Sequence, residues 1–385
     1  MILIYPILTR IIGLENFGKV MVANALAGLL GILVNYGTIQ TSIKDVATFR
    51  ENKQLLSEVF WNTFSIRLLI FSIVILIILF SFFLANESYL FYLFALPLVL
   101  AEVLNPMFFF LGVERLKILN LANLFSKALT LVLIILLIKS GENSIYVNFL
   151  MGIILSLTYL FTIIWAIRKY KLKFMLPSRL SQLLILEGNF YLLANNFVVH
   201  LQQSLMLFIL QGVKNALWLG AYALCDKVIW STRLLIISLT SSIYPKSTRL
   251  YNESRESWLN FKKKSKFIFG ALFLVISVFI FLFADLIITI LAGEENGNAS
   301  IYLKQMAFAP FLAALNCMNV IDRLVANDNY TIFKIAIIIL IVAVSVSLGL
   351  VSTGSFQIIG FYMLIVELIS LLLYEFFTRK YVVHV

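Results

Sequence analysis

The chain has 385 residues, 62% of them hydrophobic and 13% charged, with a mean hydropathy of +0.99. A soluble domain of ordinary composition carries about 25% charged residues, so the balance excludes one. The formal charge of +11 is spread over alternate loops and not gathered into one patch, which argues against a nucleic-acid partner.

Apolar runs of about 18 or more residues mark membrane spans. Residues 1–12 supply only the last third to half of a first helix. Eleven complete spans follow, near 17–39, 60–84, 89–111, 118–138, 145–167, 185–210, 215–243, 267–292, 301–322, 331–350 and 356–377. The fold class predicted is an all-α polytopic membrane protein of twelve helices, the first truncated. The opening has no basic stretch before its apolar run and no small-residue cleavage site after it, so no cleavable signal is predicted. An upstream in-frame start adding about 10–20 apolar residues before Met1 would complete the first span. Cys225 and Cys317 lie far apart inside apolar segments and read as small core residues. The two histidines are also distant from each other, so neither a metal site nor a cofactor is predicted.

Lysine and arginine set the orientation. One series of loops holds Lys44, Arg50 and Lys53, then Arg115 and Lys117, then the stretch from Arg168 to Arg179. It continues with Lys246 to Lys266, Arg323 and Lys334, and Arg379 and Lys380, twenty-one cations in all. The opposite series has five: Arg10, Lys19, Lys139, Lys214 and Lys304. The richer side is expected to be cytoplasmic, with the C-terminus on it. Arg67, inside the third helix near that side, is expected to snorkel to the interface.

Three pairs of segments recur in order. "AIRKY" (166–170) matches "FTRKY" (377–381) at an offset of 211, and "GVERL" (112–116) matches "VIDRL" (320–324) at 208. The breaks "GLENFG" (13–18) and "GVKNALWLG" (212–220) lie near 199 apart. An even number of helices per repeat makes the halves parallel, a plan found in transporters. The expected organisation is an N-terminal six-helix bundle over 1–167, a basic cytoplasmic linker over 168–183 and a C-terminal bundle over 184–385.

Polar groups at membrane depth need partners or water. Asn24, Gly28, Gly31 and Asn35 share one helical face, as do Asn120, Asn123, Lys127 and Thr130. Further stripes join Asn189, Asn196, His200 and Gln203, and Tyr222, Asp226, Arg233 and Thr240. Any single Asn or Gln can be interhelical glue, and the small residues can simply permit close packing. Four one-sided stripes, two with a cation, favour a hydrated cavity. Lys127 and Arg233 are too deep to snorkel easily, and Asp226 lies two turns from Arg233 on the same face. Glu102 and Glu367 are similarly deep. As cavity groups these would touch substrate or a coupling ion; the competing role is a buried structural ion pair. For His200 the competitor is a hydrogen-bonded packing histidine. A cationic cavity with Asn, Gln and Tyr suits an anion bearing sugar hydroxyls.

"YPILTRIIGLENFGKVMVANALAGLLGILVNYG" (5–37) resembles the N-terminal signature of bacterial O-antigen (Wzx-type) flippases, through Pro6, Leu8, Thr9, Arg10, Gly13, Glu15, Phe17, Gly18, Asn24, Tyr36 and Gly37. "NPMFFFLGVERLK" (105–117) is similar to a second segment of these polysaccharide exporters of the multidrug/oligosaccharidyl-lipid/polysaccharide superfamily. The sequence departs from the family in its incomplete first helix and at Leu111, where relatives often have a polar residue. The resemblance implies two six-helix bundles around a central cavity and alternating access. It implies translocation of undecaprenyl-pyrophosphate-linked oligosaccharide across the cytoplasmic (inner) membrane, with an ion gradient as one drive. Polysaccharide polymerase and chain-length machinery are the protein partners expected. Arg10 then reads as a cation at the outer cavity mouth, with a topological or headgroup anchor as its alternative; Gly13 and Gly18 let the turn close. The substrate-binding candidates are therefore Arg10, Asn24, Lys127, His200, Asp226 and Arg233, with Glu102 and Glu367 for ion coupling.

A multidrug exporter of the same superfamily would favour an acidic or aromatic cavity for cationic amphiphiles. A membrane glycosyltransferase or polymerase would place catalytic groups in a large outer loop, and the outer loops here are short. No G-x-x-x-x-G-K-[ST] phosphate loop is present, so neither catalysis nor direct ATP drive is predicted.

Overall fold

The computed structural model describes residues 4–80, 89–213 and 216–382, with side chains through 377. Lys214, the tip of the expected third span at 81–84, the chain start at Met1 and the side chains of Arg379 and Lys380 therefore lie outside the described residues. The described residues contain helices and turns and no strand, as backbone at membrane depth requires when every N–H and C=O must be satisfied internally.

Contacts divide the chain into two compact units, one of residues 19–201 and one of residues 2–18 with 202–385. These cuts differ from the sequence boundaries at 167 and 183. Residues 2–18 belong with the second half of the chain, and most of the helix that follows the basic stretch belongs with the first.

Helix α1 (Ile4–Asn35) spans both units and is two helices in succession, because Gly13 breaks it with φ 75 and ψ 161. Only glycine enters that region without a Cβ penalty. The break separates residues 4–12 from the span expected at 17–39. The first unit continues with α2 (Thr38–Phe49), α3 (Lys53–Phe80), α4 (Tyr89–Leu93), α5 (Leu96–Val103) and α6 (Met107–Gly112). It closes with α7 (Leu116–Leu137), α8 (Tyr146–Tyr170) and the greater part of α9 (Arg179–Gly212). Its core joins Val46 of α2 and Phe60 of α3 to Phe108, Phe109 and Phe110 of α6, with Tyr159 and Ile163 of α8.

The second unit contains α10 (Ala216–Glu253), α11 (Arg255–Leu282), α12 (Ala284–Ala292), α13 (Gly297–Met306), α14 (Ala309–Val325), α15 (Asn329–Ser352) and α16 (Phe361–Val382). Trp258, Phe269 and Phe273 of α11 pack there with Ala314, Met318 and Ile321 of α14. Nine helices or helix runs among the described residues are long and apolar enough to cross a membrane. Helices α10 and α16 occupy the positions of two further expected spans, and at 38 and 22 residues are also long enough. α10 is the more polar of the two because it carries Asp226, Lys227 and Arg233.

The internal repeat is visible in the backbone, in a register different from the one read from the sequence. After α6, the amides of Val113, Glu114 and Arg115 donate to the carbonyls of Phe109, Leu111 and Phe110. After α14, those of Ala326, Asn327 and Asp328 donate to Asp322, Leu324 and Arg323. Every atom of the first set maps onto the second at an offset of 213. Glu114 (φ 58) and Asn327 (φ 55) are both left-handed, as a helix C-terminus of this type demands. Pro97 and Pro310, each in the first turn of its helix, obey the same offset. "GVERL" thus corresponds to the segment ending at Asn329, five residues beyond "VIDRL".

Candidate functional sites at membrane depth

In the first unit the small-residue stripe of α1 makes room for two titratable side chains. A Cβ on Gly28 would meet His200 Cε1 at 2.9 Å, and one on Gly31 would meet Glu102 Cγ at 2.9 Å. The glycines therefore serve close approach, the packing role weighed for them, and what approaches is His200 and Glu102. Asn24 donates through Nδ2 to Asn148 Oδ1 at 3.2 Å, and Asn148 Nδ2 donates to the Val20 carbonyl at 2.8 Å. Asn189 of the α9 stripe is buried and donates to Thr41 Oγ1 at 3.2 Å. Lys127 stands exposed on α7 and makes no ion pair among the described residues.

Arg67 corrects the expectation of snorkelling, being fully buried. Its Nε donates to Thr38 Oγ1 at 2.8 Å, and Nη1 donates to the Asn105 carbonyl at 2.7 Å and to that of Glu102 at 3.4 Å. The guanidinium lies 5.1 Å from the Phe108 ring centroid. Pro106 explains the arrangement. In a continuous helix the amide of residue 106 would bond the carbonyl of Glu102, and proline has no such donor. The chain breaks between α5 and α6, and Arg67 satisfies carbonyls left there. The "NP" of 105–106 was the available signal; what sequence could not supply was that α3 passes beside it. Glu102 accepts separately, through Oε2, from Asn105 Nδ2 at 3.2 Å.

The second unit holds a cleft lined by Gln202, Gln203, Asp226, Trp230, Arg233 and Tyr362. Asp226 pairs with its neighbour Lys227, Oδ2 to Nζ 3.1 Å, instead of with Arg233. Arg233 forms an ion pair with Glu367 of α16 through Nη2 and Oε1. Two groups proposed for different roles, substrate binding and ion coupling, are thus direct partners. Tyr362 donates to the Gln202 carbonyl at 2.8 Å, and the buried Tyr222 hydroxyl has no hydrogen-bond partner among the described residues. Both cations are neutralised by a carboxylate, so the cleft is a set of polarised pairs and not a patch of free positive charge.

Arg10 and Thr9 act together on α12. Arg10 Nη2 donates to the Ile290 carbonyl and Thr9 Oγ1 to the Leu291 carbonyl, each at 2.6 Å. These carbonyls belong to the last turn of α12, which lacks intrahelical donors and favours a cation. Gly18 has a role other than closing the turn. A Cβ there would meet the Gly220 amide nitrogen at 2.8 Å, so it permits close backbone contact between α1 and α10.

At the basic end of the second unit, Asp322 of "VIDRL" accepts from Trp258 Nε1 at 2.6 Å and pairs with Lys262 at 3.0 Å. Arg323 pairs with Asp328 at 2.8 Å. The two cysteines are free and buried, as expected of core residues.

These features define a multi-pass membrane protein. Its fold is similar to that of a structure described as the inward-facing conformation of a multidrug resistance MATE family transporter of the MOP superfamily, with a TM-score of 0.81 and 15% identity over 99% of this chain and 94% of that one. An outward-facing MATE family structure aligns with a TM-score of 0.63 and 15% identity, over 100% of this chain and 94% of the other. Residues 1–251 match the polysaccharide biosynthesis protein family, and the chain belongs to that family. Similar proteins include a "Putative O-antigen transporter" of Shigella dysenteriae, 22% identical over 80% of this chain and 77% of the relative. One of the same name from Escherichia coli (strain K12) is 21% identical over 82% and 77%.

Proposed function

We propose that the protein is a flippase, not an enzyme. It carries undecaprenyl-pyrophosphate-linked oligosaccharide, an O-antigen or capsule repeat unit, across the bacterial cytoplasmic membrane by alternating access. Its C-terminus lies in the cytoplasm, and polymerase and chain-length proteins receive its product. Family membership together with relatives named O-antigen transporters carries this proposal. The cleft of the second unit fits it chemically: amides and a tyrosine suit sugar hydroxyls, and a guanidinium suits a phosphate. Arg10, Asn24, Lys127, His200, Asp226 and Arg233 are the proposed substrate contacts, with Glu102 and Glu367 as ion-coupling groups. An incoming pyrophosphate competes with Glu367 for Arg233, which frees Glu367 to take a cation or proton. Binding of substrate and ion would then be linked through one guanidinium.

The second reading, a multidrug exporter, has the fold similarity in its favour. A gene-deletion strain separates the two. The flippase role predicts build-up of lipid-linked oligosaccharide in the inner leaflet and loss of surface polymer, with drug susceptibility unchanged. Normal polymer with increased drug susceptibility would overturn it.

A further inference from the structure

An open groove of about 450 Å³ runs between α7 and α8 in the first unit, and none of the polar-cluster residues described above lines it. Leu121 and Phe125 form one wall and Phe161 and Trp165 the other. Its two threonines do not make it polar, because Thr158 Oγ1 donates to the Ile154 carbonyl and Thr162 Oγ1 to that of Tyr159. Phe161, Trp165 and Ile164 continue into a second hollow of about 420 Å³ that ends on Arg168 and Lys169. Both basic residues are exposed and neither forms an ion pair among the described residues. Ile118 lines the first hollow together with Trp165, so the N-terminal turn of α7 lies towards the same end and adds the positive pole of a helix.

We propose that this groove docks the tail of a polyprenyl pyrophosphate, with Arg168 and Lys169 holding the phosphates. Charge selects the occupant. Two unpaired cations and a helix N-terminus match a headgroup with about two negative charges better than a phosphodiester phospholipid with one. Basic residues in the last turn of α8 also favour that helix's own C-terminus, but this accounts for neither the aromatic walls nor their continuity with the cations. On the face that carries most of the chain's lysine and arginine, the groove would collect the carrier lipid before translocation. That step rests on the proposed flippase function; binding itself does not require transport.

The test is native mass spectrometry of the purified full-length protein, titrated with undecaprenyl pyrophosphate and separately with dioleoylphosphatidylglycerol. Arg168→Gln with Lys169→Gln removes the charges, and Ala122→Trp fills the groove, with Ala122→Leu as the milder filling if the tryptophan variant is not monodisperse. Each change is expected to weaken the pyrophosphate lipid about tenfold, roughly 1.4 kcal/mol, and to leave phosphatidylglycerol binding unchanged. Unchanged affinity in either the charge or the filling variant, or a parallel loss for phosphatidylglycerol, overturns the site. If the selective loss occurs in a protein that does not flip sugars, the groove stands and the flippase proposal falls. If flipping is intact and the variants bind like wild type, the reverse holds.

Discussion

Arg67 and Arg233 are both arginines inside helices, and their partners give them different work. Arg67 bonds backbone carbonyls and one hydroxyl, so its contribution is to the fold. A hydrogen bond to a charged group contributes about 1.5–3 kcal/mol, so Arg67→Met is expected to cost at least about 3 kcal/mol. Thermal unfolding of the purified protein would check this, and Arg67→Lys should recover only part because one ammonium cannot span both acceptors. A variant as stable as wild type would contradict the structural role. Arg233 bonds a carboxylate across 134 residues of chain. Glu367→Gln and Arg233→Ala should each lower polymer export about tenfold or more, while the exchange Arg233→Glu with Glu367→Arg keeps the pair and the fold but does not restore export. Full export by the exchanged pair would reduce the ion pair to a structural one. Lys127→Ala, at an exposed and unpaired cation, should lower export about tenfold without changing stability.

At the scale of elements, glycine decides how closely helices meet. A Cβ on Gly220 would sit 2.0 Å from the Leu14 carbonyl oxygen, and backbone cannot rotate away as a side chain can. Gly220→Ala is therefore expected to force α10 off α1 and to reduce the yield of folded protein, read by size exclusion and melting temperature. Gly188, also helical, has nothing within 4 Å of its Cβ position. Gly188→Ala should be neutral or stabilising by up to about 1 kcal/mol through helix propensity. Equal behaviour of the two variants would contradict the close crossing. The cap on α12 is weaker: Arg10→Ala should cost about 0.3–1 kcal/mol, the range for a cation at an exposed helix C-terminus.

For the whole molecule, hydropathy made the helices legible because a span needs a fixed apolar length whatever its neighbours. Helical spacing placed Asp226 with Arg233, His200 and Lys127 on polar faces, since a face is a local property, while Glu102 was read from its depth and Lys127 stands exposed. Pairings were not legible. Nothing local to Arg233 points to Glu367, and Lys227 rather than Arg233 holds Asp226. The grouping of residues 2–18 with the second half depends on packing between segments more than 200 residues apart, as in Leu14 with Gly220 and Thr9 with Leu291. The repeat was read from side chains at 208 and 211 and sits in the backbone at 213, because hydrogen bonds at helix ends hold register where sequence drifts. Orientation remains a matter of charge. A reporter fused after Glu253 should be cytoplasmic and one after Asn143 periplasmic, and the opposite pattern would invert the topology.

The central claim, movement of a lipid-linked sugar, is tested most directly in proteoliposomes. The purified protein is reconstituted with a fluorescent undecaprenyl-pyrophosphate oligosaccharide, and the fraction reachable by an externally added glycosidase is followed in time. Wild type is predicted to expose the inner-leaflet pool far faster than empty liposomes, and Arg233→Ala at least about tenfold more slowly than wild type. A wild-type rate equal to that of empty liposomes, with folded protein confirmed in the membrane, would contradict the account.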